Sequence, residues 1–373
     1  MEDRPSNGGT GYVNGARTMA TSDHRTHDRD ERLPSISVCM ATLNAATVVE
    51  ECLRRLRSQD YPPHLIELIV ADGGSTDATV AIVERHGGRV LPNLLKTGEA
   101  GKAEAVRAAS NDLILMLDSD NWLPSADWLR SMVKPFADPR IALAEPIEYT
   151  WRPEAGSIER YCALIGMNDP LCLFLGNYDR WCTLTGKWTD VPHDEEDRGT
   201  YLQIRLTPAG IPTVGANGAL FRREFLQRAN RGDHLFDVDV IADAVATSGE
   251  AWIAKVKVGI IHTYCEGDWR KFYRKQRRRI QDYLFHKQAN SRKFDWEWAG
   301  IRSGSRFGLV RFIASTVLVV PLLVQMIRGL LRKPDTAWLF HVPACWITLV
   351  TYAWGVIEGR FVRKEASRTT WKQ

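Results

Sequence analysis

No two of the seven cysteines are spaced as Cys-x-x-Cys, and their total is odd. That pattern argues against structural zinc and a paired disulfide framework, and it fits a reducing compartment. An apolar run is missing from residues 1–32, where Gly, Asn, Ser, Asp, His and Arg follow one another without periodicity. Such a segment buries too little surface to offset its ordering entropy, so a disordered tail is expected there, and no secretory signal. A large excess of one charge is missing as well: 49 Lys and Arg against 45 Asp and Glu leave a net charge of +4 over 373 residues, so the whole molecule is not a polycation. The hydrophobic fraction of 44% allows an ordinary core, and the length allows more than one globular unit.

What is present begins at Ile36-Ser37-Val38-Cys39-Met40, a short apolar strand. Residues 47–57 carry Val48, Val49, Cys52, Leu53 and Leu56 at helical spacing, and Asp60-Tyr61-Pro62-Pro63 ends that helix. Further strands are expected at 65–71, 89–91 and 113–117. Helices are expected at 77–86, with Thr76 or Asp77 as N-cap, and at 101–110. Strands alternating with helices predict an α/β fold with a parallel sheet covered on both faces and ligands at the carboxyl ends of its strands. Asn44, Asp72 and Asp118 all fall at those ends. Asp118-Ser119-Asp120 follows the buried run Leu113-Ile114-Leu115-Met116-Leu117, and two carboxylates one residue apart can hold a hard cation through oxygen.

Further on, His193-Asp194-Glu195-Glu196-Asp197 reads as a solvated acidic loop, and Gly215-Ala216-Asn217-Gly218 as a turn where backbone approaches a ligand closely. Residues 267–287 concentrate Arg270, Lys271, Arg274, Lys275, Arg277, Arg278 and Arg279 on one side of a helix. Trp269, Phe272, Tyr273, Ile280, Tyr283 and Leu284 lie on the other. A basic amphipathic helix with aromatic anchors suits an anionic membrane surface. The segment 312–327 is nearly free of charge and contains Pro321; 337–357 is apolar and long enough to cross about 30 Å of hydrocarbon. Together they predict a membrane hairpin, and the richer Arg/Lys content outside it predicts both flanks on the cytoplasmic side.

The ordered set of Ile36 to Asn44, Val70-Ala71-Asp72-Gly73-Gly74-Ser75-Thr76-Asp77, Gly101-Lys102, Asp118-Ser119-Asp120 and Gly215-Ala216-Asn217-Gly218 before Arg222-Arg223 resembles the family 2 glycosyltransferases of GT-A fold. With the C-terminal hairpin, the chain is similar to the polyprenyl-phosphate sugar synthases of that family. The resemblance implies that Thr42, Asn44 and Asp72 line a nucleotide pocket and that Lys102 lies near the nucleotide. It implies that Asp118 and Asp120 hold Mg²⁺ or Mn²⁺ on the diphosphate of a nucleotide sugar. It also implies an acidic base after the Gly-Asn-Gly turn. Here that is Asp239, with Asp237 second, because the usual Glu-Asp pair is absent. Gln276-Arg277-Arg278-Arg279-Ile280 stands where processive members carry Gln-x-x-Arg-Trp. Gln276 and Arg279 are therefore expected at the diphosphate or lipid phosphate, and Ile280 in place of Trp favours single transfer. His262 is expected to approach the metal.

The expected organisation is a tail (1–33), a catalytic domain (34–266), an interfacial helix and connector (267–308), a transmembrane hairpin (309–358) and a cytoplasmic tail (359–373). The expected activity is inverting transfer of a sugar to a lipid-linked acceptor, preferably polyprenyl phosphate, with extension of a lipid-linked oligosaccharide or polysaccharide as the alternative. A non-catalytic membrane scaffold of the same fold is a third reading, against which the intact Asp118 and Asp120 argue. No nucleic-acid partner is expected.

Overall fold

The computed structural model describes residues 33–215, 217–229, 232–288 and 307–361. The expected N-terminal tail, most of the connector after residue 288 and nearly all of the C-terminal tail lie outside the described residues.

The first half alternates as read: β1 (Ile36–Thr42), α1 (Ala46–Arg57), β2 (Ile66–Asp72), α2 (Thr79–Arg85), β3 (Arg89–Pro92), α3 (Gly98–Ala108) and β4 (Leu113–Met116). β1 runs parallel to both β2 and β4, and β2 parallel to β3. The register sets Thr42 level with Asp72, so the two side chains meet at one edge. α3 starts at Thr97, whose hydroxyl accepts the Ala100 N–H at 3.1 Å. α2 starts later than expected, with Ala78 at the cap and Asp77 accepting the Thr79 N–H at 3.0 Å.

The second half departs from a purely parallel sheet. It comprises β5 (Asn121–Trp122), α4 (Trp128–Val133), β6 (Ile141–Tyr149), α5 (Ser157–Ile165), α6 (Leu171–Leu175), β7 (Asp194–Asp197), β8 (Tyr201–Leu206), β9 (Ala219–Arg222), α7 (Arg223–Ala229), α8 (Asp237–Ser248) and β10 (Ala251–His262). Among the described residues the sheet order is β3-β2-β1-β4-β9-β6-β10-β8-β7, with β5 paired to β10. β9 inserts antiparallel between β4 and β6. The stretch expected as an acidic loop is instead an exposed edge strand, β7, antiparallel to β8; charged side chains on an edge strand discourage further pairing.

The chain then forms α9 (Trp269–Gln288), α10 (Gly308–Leu318), α11 (Val320–Arg332) and α12 (His341–Phe361). The structure adds detail to two expectations here. The apolar face of α9 is covered by protein in part: Phe272, Gln276 and Ile280 are buried, Phe272 in a cluster with Tyr161 and Trp338, and Ile280 in one with Phe174 and Phe312, while Trp269 and Tyr273 stay exposed. The covered part is the stretch on which α12 docks. Gly355 of α12 permits the approach, since a Cβ there would come within 2.6 Å of Ile280 Cγ2. The first arm of the expected hairpin is broken at its proline. Val319 has φ +64° and Pro321 follows, so α10 and α11 bend by 92°. Among the described residues one helix, Thr336–Gly359, is long and apolar enough to cross a membrane, two if the bent pair counts as one broken span, and 39% of the apolar 18-residue stretch of Thr336–Gly359 is buried inside the protein.

Candidate active site

At the edge shared by β1 and β2, Thr42 Oγ1 donates to Asp72 Oδ2 at 2.8 Å. Asp72 Oδ1 accepts the backbone N–H groups of Gly74 and Ser75 at 2.9 and 2.7 Å, and Ser75 Oγ donates to Oδ2 at 2.6 Å. A carboxylate offers about four acceptor sites, so Asp72 is fully engaged in shaping its own loop. A base or ribose would reach it by displacing the Thr42 or Ser75 hydroxyl. Asn44 takes a left-handed φ of 52°, and its Oδ1 accepts the Thr76 N–H at 2.9 Å, tying the ends of β1 and β2 together.

One strand over, β4 delivers Asp118 and Asp120 to the same edge of the sheet. Lys102 of α3 bridges outward: its Nζ lies 3.3 Å from Asp118 Oδ1 and 2.8 Å from Asp237 Oδ2. Burial alone would lower the Lys102 pKa, yet Asp118 and Asp237 hold it above the usual lysine range. Burial raises the Asp237 carboxyl, with Lys102 opposing. The β5–β10 bridge sets His262 opposite Asn121, which brings His262 Nε2 within 3.5 Å of Asp120 Oδ2. Lys275 of α9 lies 3.6 Å from the same oxygen. Against the upward push of burial, His262 and Lys275 keep Asp120 well below the ordinary carboxylate range.

Among the described residues no group of three or more His, Cys, Asp or Glu forms a complete cage for a metal ion. Two carboxylates with an imidazole beside them nevertheless suit a hard cation that takes the rest of its shell from phosphate oxygens and water, the usual way in which Mg²⁺ sits in phosphate sites.

These groups open onto a cavity of about 600 Å³ between the sheet and the C-terminal helices. Asp118, Asp120, Asn217, Asp237, His262 and Arg279 all line it. Lys102 touches it through its two partners. Gln276 stands behind the wall, donating to the Asn168 carbonyl at 2.7 Å and accepting from Arg279 at 2.9 Å. Thr42, Asn44 and Asp72 form their own group at the β1–β2 edge and do not line this cavity, nor does Asp239. Asp239 is buried at the start of α8, its N–H bonded to the Phe236 carbonyl at 2.9 Å.

The Gly215 turn is held from below by charges with no solvent exposure. The Gly215 N–H donates to Glu145 Oε1 at 2.5 Å, and Lys255 Nζ donates to Glu145 Oε2 at 2.6 Å. Arg180 lies 3.4 Å from Glu145 and pairs with Asp179. Gly215 has φ +114°, and a Cβ there would lie 2.4 Å from the Asp237 carbonyl oxygen, so this glycine allows the turn to seat the start of α8. Asn217 Nδ2 donates to the Tyr149 hydroxyl at 2.9 Å.

Several groups at the site escaped the sequence reading: Asn168, Asp169, Asn177 and Asp179 line the cavity, and Tyr352 reaches it from α12. Tyr352 donates to Asp169 Oδ2 at 2.5 Å. The Gly166-Met167-Asn168-Asp169-Pro170 stretch carries a turn signal; nothing local to it announces a ligand.

The mixed sheet with paired aspartates after β4 has the GT-A arrangement. Residues 37–229, just over half of the chain, match glycosyl transferase family 2, and the chain belongs to that family. It is 31% identical over 93 residues to the poly(ribitol-phosphate) beta-N-acetylglucosaminyltransferase TarS of Staphylococcus aureus, covering 23% of this chain and 16% of the relative. It is 28% identical over 142 residues to glycosyltransferase AglE of Haloferax volcanii, covering 36% and 46%. The chain thus spans less than half the length of these curated relatives. Among solved structures, mannosyltransferase PcManGT from Pyrobaculum calidifontis, in complex with GDP-Man and Mn²⁺, superposes with a TM-score of 0.48 at 20% identity, covering 86% of this chain and 87% of that one.

Proposed function

We propose that the protein transfers a glycosyl group, with inversion, from a nucleotide sugar to an acceptor presented at a membrane surface. The observation that carries this reading is convergence: Asp118, Asp120, His262 and Asp237 face one cavity, and Lys102 links Asp118 to Asp237. The nucleoside belongs at Thr42, Asn44 and Asp72, and its diphosphate at Asp118 and Asp120. Mg²⁺ or Mn²⁺ bound there would counter the charge that develops on the departing diphosphate. Lys275 adds a positive charge at the same point. Asp237 takes the proton of the attacking hydroxyl; it lines the cavity and burial raises its carboxyl, so it is the better base than Asp239. Asn217 and its turn border the acceptor side. Ile280, packed on Gly355, offers no surface for stacking a growing sugar chain, which favours single transfer.

Attachment to the membrane rests on the outer face of α10–α12. Leu318, Val320, Ile327, Leu331 and Trp354 are exposed there. The inner face of α12 is bonded to protein through Tyr352 and through Glu358, which accepts from Arg277 at 2.8 Å. An element with one apolar face outward and a polar face docked on a soluble domain lies in the interface plane. This monotopic arrangement at the cytoplasmic surface replaces the multi-pass hairpin in the proposal. The test is nucleotide release by the full chain, in detergent with Mn²⁺, across UDP- and GDP-sugars. Release from no donor above the level of Asp118→Asn would overturn the reading.

A further inference from the structure

We infer that the acceptor is a neutral sugar hydroxyl and not the phosphate of a lipid. This rests on the glycosyltransferase reading above and narrows its substrate. The first observation is charge. Seven carboxylates line the cavity against three Lys/Arg side chains, and each of those cations is engaged. Lys275 lies 3.6 Å from Asp120, Arg278 3.1 Å from Asp282, and Arg279 3.6 Å from Asp169 with a further bond to the Asn168 carbonyl. Phosphate recognition needs Arg or Lys donors available to the anion. A divalent ion at Asp118 and Asp120 is matched by the donor diphosphate, so it leaves no positive charge for a second phosphate.

The second observation is independent of charge. Asn177 Oδ1, Asn168 Oδ1 and the Tyr264 hydroxyl are buried without a hydrogen-bond partner, and all three residues line the cavity. Asn177 is 5% exposed and Tyr264 4%. An orphaned buried polar atom costs free energy until a partner arrives. Two amide oxygens call for donors, which sugar hydroxyls supply and an ionised phosphate lacks. Tyr149, Tyr178 and Tyr283 add aromatic surface to the same wall. Arg279, expected from sequence at a phosphate, faces Asp169 at 3.6 Å in the same wall.

The experiment gives the full chain in detergent a radiolabelled nucleotide sugar chosen by the nucleotide-release screen, with Mn²⁺, and either a panel of neutral decyl glycosides or decaprenyl phosphate. Label is expected on a glycoside. Asn177→Ala should raise KM for that glycoside roughly 3- to 10-fold, the loss of one neutral hydrogen bond, and by more than it raises KM for the donor. Tyr264→Phe, which changes no packing volume, should shift KM in the same sense. Label on decaprenyl phosphate alone, or donor turnover that no glycoside accelerates, overturns the inference while leaving the glycosyltransferase reading intact. Absence of donor turnover under every condition overturns that reading itself.

Discussion

Replacing Lys255 with Met isolates the electrostatics beneath the Gly215 turn. Met keeps the length of the stem, so the change is essentially one of charge. Glu145, Arg180 and Lys255 have no solvent exposure. In Lys255→Met, Glu145 keeps only Arg180 at 3.4 Å and the Gly215 N–H at 2.5 Å. Removing one partner of a buried ion pair costs about 3–5 kcal/mol, because the remaining charge stays out of water. At roughly 2–4 °C per kcal/mol, somewhat less for a unit of this size, the unfolding midpoint should fall by roughly 5–15 °C. Tryptophan fluorescence on heating in detergent reads it. Adding Glu145→Gln removes the stranded charge and keeps an acceptor for Gly215, so the double variant should be more stable than Lys255→Met alone. The pH dependence has a defined sign. Burial would raise the Glu145 pKa, but Lys255 and Arg180 hold it below the usual value. Its stabilisation is therefore complete above the unfolded carboxylate pKa and is lost as pH falls through the folded one. Lys255→Met should move acid unfolding to higher pH. A midpoint within about 2 °C of wild type, well under the shift expected for a buried pair, together with strict additivity in the double variant, would refute the argument.

Asp118→Asn and Asp120→Asn should each lower turnover by roughly 100-fold or more, the scale of losing a charge-stabilising group at a reacting centre, with unchanged unfolding midpoints; EDTA should mimic them and added Mn²⁺ should restore only the wild type. Gly215→Ala places a Cβ within 2.4 Å of the Asp237 carbonyl oxygen, so kcat should fall by more than the accompanying loss of stability, about 1–2 kcal/mol from backbone strain, accounts for. Ile327→Glu with Leu331→Glu, at positions 51% and 79% exposed, should release the protein from anionic liposomes in a flotation assay without changing its fold; retention would shift the membrane contact elsewhere.

The parallel half of the sheet was legible because each strand there is a short apolar run ending in a polar turn, as at Leu113-Ile114-Leu115-Met116-Leu117 before Asp118. Asp118, Asp120 and His262 were legible for the same reason: strand ends have an address in the sequence. The cavity wall around Asn177 and Asp179 was not. Asp179 is held by Arg180 and Lys255, part of a charge cluster with Glu145 assembled from distant segments, and hydrophobic periodicity carries no trace of such pairing. The α9 stripe was read without its protein partner: Phe272, Gln276 and Ile280 are buried, with α12 packed on the helix, while Trp269 and Tyr273 stay exposed. A stripe records that something covers a helix and does not record what. The bent α10–α11 pair had a partial signal in Pro321, while the left-handed Val319 had none. Asp239 was ranked ahead of Asp237 from sequence, where nothing local shows which of two acids at a helix start faces a cavity; Asp237 lines it and Asp239 does not.

Tyr352 reaches the cavity from α12, more than two hundred residues after Asp118 and Asp120. Order of synthesis thus becomes order of completion: a polypeptide stopped short of α12 has the strand-end carboxylates but lacks a roof over them. The chamber closes only once α12 has settled against α9, which ties its completion to the last helix among the described residues.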